Sequence, residues 1–162
     1  MMKIIGIDQS FSSSALCVID ESALILDFSV YRSQKELDVY EKCYLVAKNI
    51  SDYVIKYEPN VIILEGLSFG NLGNRTRDLA GLQFVIITHL RYQLNFNNII
   101  IVPPPTLKKF ATGSGRADKT LMIKNLPDNV SELFNTAGFK KTTGLSDLAD
   151  AYWLACYGIP RI

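Results

Sequence analysis

The sequence predicts an α/β fold built on a mixed five-stranded sheet flanked by helices, and three observations carry that prediction. Residues 3 to 31 hold three short apolar runs joined by polar turns, the pattern of an antiparallel meander. Two later apolar runs, Val61 to Glu65 and Ile99 to Val102, are set apart by helix-length segments, which suits strands added to the same sheet through crossover helices. Acidic residues close two of these strands, Asp8 and Glu65, and two more, Asp147 and Asp150, open the last helix.

Each element has its own local reason. Lys3 to Asp8 is an apolar strand, followed by the polar turn Gln9 to Ser14 and a second strand, Ala15 to Ile19. Asp20-Glu21-Ser22 is a turn, and Leu24 to Tyr31 is the third strand. In residues 36 to 58 the positions Leu37, Tyr40, Tyr44, Ala47, Ile50, Val54 and Tyr57 step by three or four, which predicts a long helix that Pro59 ends. Val61 to Glu65 is a buried strand, and Gly66 to Gly73 reads as a flexible loop. Leu79, Leu82, Ile86, His89 and Leu90 mark a second helix that runs to about Leu94, and Ile99 to Val102 is the fifth strand. Pro103-Pro104-Pro105 breaks the chain before a short helix near Thr106 to Ala111, a Thr-Gly-Ser-Gly-Arg loop and a helix near Asp118 to Leu126. Ser146 to Tyr157 is the last helix, stopped by Gly158 and Pro160.

With 162 residues, 48% of them hydrophobic, the chain suffices for one core, and no linker or repeat divides it, so residues 1–162 are expected to form one domain. The longest apolar runs are far shorter than a membrane span, and the N-terminus enters a strand without the pattern of a signal peptide, so a cytoplasmic protein without membrane association is expected. Cys17, Cys43 and Cys156 share no metal-binding spacing and lie in apolar segments, as reduced core residues do. The net charge of +1 conceals segregation: residues 103 to 125 carry Lys108, Lys109, Arg116, Lys119 and Lys124 against Asp118 alone. If metal offsets the four acids, 17 basic residues face 12 remaining acidic ones, a fair basis for binding a polyanion, although a solvated basic face has the same composition.

Carboxylates at strand ends, joined by two at i and i+3 on one helical face, can converge on one point although they are far apart in sequence. Two unit charges about 4 Å apart cost roughly 4 kcal/mol at an effective dielectric near 20, so four such groups call for divalent cations or protons. Plainer roles exist. Asp147 and Asp150 suit the positive end of a helix dipole, Asp8 suits a turn cap, and Arg75 and Arg77 suit a solvated surface. Glu65, after four apolar residues, fits a plain structural role poorly, since an unpaired charge there is costly. His89 reads as a core or subunit-interface residue, and Tyr152, Trp153 and Tyr157 read as core.

Three antiparallel strands followed by helix, strand, helix, strand and helices is the order of the ribonuclease H-like fold, in which the first and fourth strands are neighbours. Within it, Ile4-Ile5-Gly6-Ile7-Asp8, Val61-Ile62-Ile63-Leu64-Glu65, Leu107-Lys108-Lys109 with Ala117-Asp118-Lys119, and Asp147-Leu148-Ala149-Asp150-Ala151 resemble the RuvC family of Holliday junction resolvases. The resemblance spans nearly the whole chain. It implies a structure-specific endonuclease whose metal-binding and catalytic carboxylates are Asp8, Glu65, Asp147 and Asp150. They would hold two Mg²⁺ ions, with Mn²⁺ as a substitute, for in-line phosphodiester hydrolysis by water. Some relatives carry a histidine among the last acids, whereas this set is entirely carboxylate. Lys108 and Lys119, eleven residues apart on either side of Gly113 and Gly115, resemble the family's DNA-contacting lysines. Phe69 resembles an aromatic residue that wedges into the junction centre, with Arg75, Arg77 and Arg116 as further phosphate contacts. Paired cutting of a two-fold symmetric four-way junction implies a homodimer, which the resemblance places on the second helix around Leu79 to Leu94. Flaps, forks and three-way branches remain open as additional substrates.

Two other classes fit parts of the chain. A non-catalytic branched-DNA-binding protein on the same fold has no use for four acids beside its ligand. An actin- or sugar-kinase-like ATPase fragment also opens on a strand ending in Asp, but Gln9 to Ser14 contains no glycine for a phosphate turn, and the chain is too short for that fold's second domain.

Overall fold

The structure, a computed structural model, describes residues 1–67 and 74–161, without the side chains of Asn74 and Arg75. The elements run β1 (Lys3–Asp8), β2 (Ser14–Asp20), β3 (Ile25–Tyr31), α1 (Val39–Tyr57), β4 (Val61–Glu65), α2 (Asn74–Thr88), β5 (Ile99–Val102), α3 (Pro104–Thr112), α4 (Lys119–Lys124), α5 (Asp128–Thr136) and α6 (Leu145–Gly158). The sheet order is β3-β2-β1-β4-β5, with β1, β2 and β3 antiparallel and β4 and β5 parallel to β1. It is the mixed five-stranded sheet expected.

Alternation along the strands divides the core in two. Ile4, Cys17, Ile19, Val61 and Ile63 face α6 and the smaller helices α3, α4 and α5. Ile5, Ile7, Leu16, Val18, Ile62 and Leu64 face α1 and α2. The result is three layers, with both faces of β1 and β4 buried, which is why their sequences are continuously apolar rather than alternating.

Several boundaries differ from the sequence reading for physical reasons. α1 starts at Val39 because Asp38 caps it: the Asp38 carboxylate accepts from the Glu41 N–H at 2.8 Å, and the Glu41 carboxylate accepts from the Asp38 N–H at 2.9 Å. α2 begins at Asn74, well before Leu79, in a polar stretch with no apolar period, and widens into a π-helical turn at His89–Gln93. α5 was not expected. It offers only Val130 and Phe134, at i and i+4, as buried anchors behind Pro127. The three cysteines are free and buried. His89 is partly buried with its ring edge-on to Tyr44, 6.3 Å between centroids. Tyr152 is a core residue as expected, whereas Trp153 and Tyr157 are only partly buried. Among the described residues, no helix is long and apolar enough to cross a membrane.

The residue that positions the rest is Gly6. A Cβ there would overlap the backbone carbonyl of Ala151 and the backbone nitrogen of Ala155, so α6 lies on β1 main chain to main chain. Gly158, at the far end of α6, leaves room for the side chains of Ile4 and Ile63, which a Cβ there would meet. Gly6→Ala is expected to lower stability by about 1–3 kcal/mol or more through overpacking, read as the midpoint of thermal or urea unfolding. An unchanged midpoint would show that α6 can lift off the sheet freely.

Candidate active site

Two strands and one helix meet at one end of the sheet. β1 and β4 run parallel in the register Ile7↔Leu64, so Asp8 and Glu65, one residue further on, end side by side. Gln9 and Gln83 fix this end of β4: each donates its side-chain amide to the Glu65 carbonyl, at 3.0 and 3.1 Å. The Glu65 main chain is therefore tied both to the residue after Asp8 and to α2.

α6 delivers the other two acids. Gly144, at φ 107°, occupies a left-handed conformation that glycine favours, and the helix starts immediately after it. Asp147 accepts a hydrogen bond from the Ser13 hydroxyl at 2.8 Å and one from Ser146 at 3.2 Å, and the Lys119 ammonium lies 3.6 Å from it. Asp150, one turn on, faces Asp8 and Glu65.

The four acids are close enough for their charges to act on one another. Asp8 is pushed well above the usual carboxylate range, first by burial, then by the charges of Glu65, Asp150 and Asp147, and it is hydrogen-bonded to Glu65. Glu65 is also raised, chiefly by burial, while its bond to Asp8 and the charges of Lys108 and Lys119 hold it down. Asp150 rises to about 7 through burial and the Glu65 charge, against the opposing pull of Lys119. Among the described residues, no three acidic, cysteine or histidine side chains already form a ready-made ion cage. Asp8 and Glu65 instead hydrogen-bond to each other, and Lys108 and Lys119 lie beside the group. Such a site can accept hard cations, and the donors are oxygen only.

The remaining expected residues scatter. Arg116 is exposed in the loop between α3 and α4, beside Ser114, Asp118 and Lys124. Arg77 is paired with its neighbour Asp78 at 3.1 Å and lines the groove between α1 and α2 with Tyr40 and Tyr44. Phe69 lies outside the described residues, as does the side chain of Arg75. The sequence reading missed Ser13, Gln9 and Gln83. A serine-rich turn directly after Asp8 was the only available signal, because the partner of Ser13 is 134 residues away.

No family model matches this sequence. Among solved structures, RuvC of Thermus thermophilus is similar with a TM-score of 0.71 at 16% identity, over 95% of this chain and 91% of that one. T. thermophilus RuvC in complex with Holliday junction substrate gives 0.69 at 13% identity, over 96% and 90%. The yeast mitochondrial Holliday junction resolvase Ydc2 gives 0.70 at 16%, over 98% and 78%. The fold is thus the RuvC-like, ribonuclease H-like one.

The raised acids have a consequence for stability in metal-free buffer. Asp150 moves from its ordinary 3.8 to about 7, so its proton stabilises the fold fully below about pH 3.8, and that contribution is lost as pH rises to about 7. Asp8 and Glu65 act in the same direction. With a chelator present, the wild type should melt lower at pH 8 than at pH 5. Asp150→Asn should melt higher than wild type at pH 8 by at least about 2–4 °C, the shift that about 1 kcal/mol produces at this size. Parallel melting curves for the two proteins across this range would mean that Asp150 is not under this strain.

Proposed function

We propose that the protein is a divalent-metal-dependent endonuclease that resolves four-way DNA junctions by paired incisions. The observation that carries this reading is the convergence of Asp8, Glu65, Asp147 and Asp150, with Lys108 and Lys119 beside them, at one end of a RuvC-like sheet. A purely DNA-binding surface gains nothing from four acids next to phosphate.

The carboxylates fit a hard cation: they are partly buried, their charges oppose one another, and they include no soft donor. Mg²⁺ bound there supplies Lewis-acid polarisation of the scissile phosphate and a water of lowered pKa. Asp8, Glu65, Asp147 and Asp150 are assigned as its ligands, and Mn²⁺ suits the same oxygens. Ser13 holds one Asp147 oxygen in place, and the paired amides of Gln9 and Gln83 keep Glu65 at its height on β4. Lys108 and Lys119 neutralise backbone phosphate beside the acids, with Arg116 further along the same basic segment. Phe69, Arg75 and Arg77 are assigned to the branch side of the site by their position after Glu65.

Paired incision needs two sites related by a two-fold axis, hence a homodimer. Tyr40 and Tyr44 on α1 and Phe84 and Tyr92 on or just past α2 are 55% to 83% exposed, an apolar outlay a monomer has little reason to keep. That face is assigned as the dimer contact.

Cutting of synthetic four-way junctions tests the assignment. Wild type should cut with Mg²⁺ and not with chelator. Asp8→Asn and Asp150→Asn should each slow cutting by more than the about 10–100-fold that loss of an outer-shell partner costs, with junction binding intact or tighter. Wild-type rates in either variant would remove that residue from the ligand set. Lys108→Ala and Lys119→Ala should each lower the slope of log affinity against log salt by about 0.9, and an unchanged slope in both would return them to the solvated surface. Light scattering should report two chains; a monomer that makes paired incisions would refute the dimer.

A further inference from the structure

α3 and α6 form a second feature that the acid site does not use. Phe110, 45% exposed, stands edge-on to Trp153 at 6.3 Å and to Tyr157 at 5.3 Å between ring centroids. An open groove runs along these rings, lined by Pro105, Thr106, Lys109, Phe110, Gly115 and Tyr157. Its lining contains one cation and no acid. The Arg161 guanidinium is stacked on Tyr157, 3.7 Å from its ring centroid, and donates to the Tyr157 carbonyl. An exposed aromatic ring beside positive charge, as Phe110 is beside Lys109, suits unpaired nucleic acid, since every base has a face to stack and every phosphate a charge to pair.

The placement connects this groove to the candidate active site. Asp150 and Tyr157 are seven residues apart on α6, about 10 Å at 1.5 Å per residue. On α3, Lys108 acts on the acids while the next residue, Lys109, lines the groove. We propose that the α3–α6 groove is a single-strand platform, where an unpaired base stacks on Phe110 and the flanking phosphates meet Lys109 and Arg161. The proposal rests on the DNA-cutting reading for its choice of ligand, and it extends that reading to substrates with an unpaired arm beside the incision.

Trp153 is the chain's single tryptophan and touches Phe110, so it reports occupancy of the groove. Full-length wild type in chelator, titrated with a short oligothymidine, should show a saturable change in tryptophan emission. Phe110→Leu keeps the apolar volume and removes the ring; it should weaken oligothymidine binding by about 5- to 100-fold, the loss of a base stack, while affecting duplex DNA much less. Lys109→Ala should lower the salt slope for the single strand by about 0.7, and this surface variant decides the matter if Phe110→Leu melts early. An unresponsive emission, wild-type affinity in both variants, or equal weakening for duplex and single strand overturns the platform. Light scattering that shows two chains in wild type and one in Phe110→Leu overturns it also, in favour of a contact between copies. If wild type binds the single strand but never cuts a junction with Mg²⁺, the platform stands and the nuclease reading falls. If it cuts while Trp153 stays silent, the reverse holds.

Discussion

The contact between the α6 backbone and Gly6 is the constraint on which the candidate site depends. A helix held off a sheet by side chains sits about 10 Å away, and its polar first turn would then stand clear of the strand ends. Because β1 offers no side chain at residue 6 and α6 offers Ala151 and Ala155 opposite it, the helix drops onto the strand, and its N-terminal acids come level with Asp8. The neighbouring small residues Ala149 and Gly158 are buried along the same seam. What looks like a packing detail of small residues thus sets the distance between carboxylates contributed by residues 8 and 150.

The same seating works against the stability of the metal-free protein. Burial and mutual repulsion lift Asp8, Glu65 and Asp150, so the fold holds these groups in a form their chemistry disfavours at neutral pH. Elsewhere the molecule is ordinary: two apolar clusters, capped helices and buried cysteines. Strain of this kind at a working site is offset by the surrounding core. Lys119 and Lys108 relieve part of the repulsion, but an exposed lysine 3.6 Å from Asp147 is also free to turn toward an incoming phosphate. On the proposed function, the same two lysines would face the acids and the phosphate in turn.

How much of this was legible in the sequence follows from the range of each interaction. Strands β1 and β4 were legible because four or five consecutive apolar residues ending in an acid suit a buried strand and little else, and the pairing of Asp8 with Glu65 followed from strand order. Asp147 and Asp150 were legible as an i, i+3 pair on a helix. Gly6 carried no signal, since its significance lies in a helix some 145 residues later. The Ser13–Asp147 bond and the clamp of Gln9 and Gln83 on Glu65 were hidden for the same reason. α5 escaped because two buried anchors do not make a period, and the start of α2 because its first turns are polar. Trp153 and Tyr157 were read as core from their spacing; spacing shows that residues share a face but not whether the face is covered.

α6 therefore does two jobs along one length. Its N-terminal turn presents Asp147 and Asp150 to the sheet end, and its C-terminal half presents Trp153 and Tyr157 to Phe110. The helix is rigid on the scale of a nucleotide and is pinned along its length by glycine contacts with β1 and β4, at Gly6 and Gly158. A strand lying in the α3–α6 groove would consequently be held at a fixed offset from the acids, without any hinge to adjust it. A fixed offset discriminates by geometry: a duplex, whose bases are paired inward, presents no free ring to Phe110, whereas a branch with an unpaired base presents one at the same distance from the scissile bond. On the proposed reading, a preference for branches would have a source on α6 itself, independent of whatever the residues following Glu65 contribute.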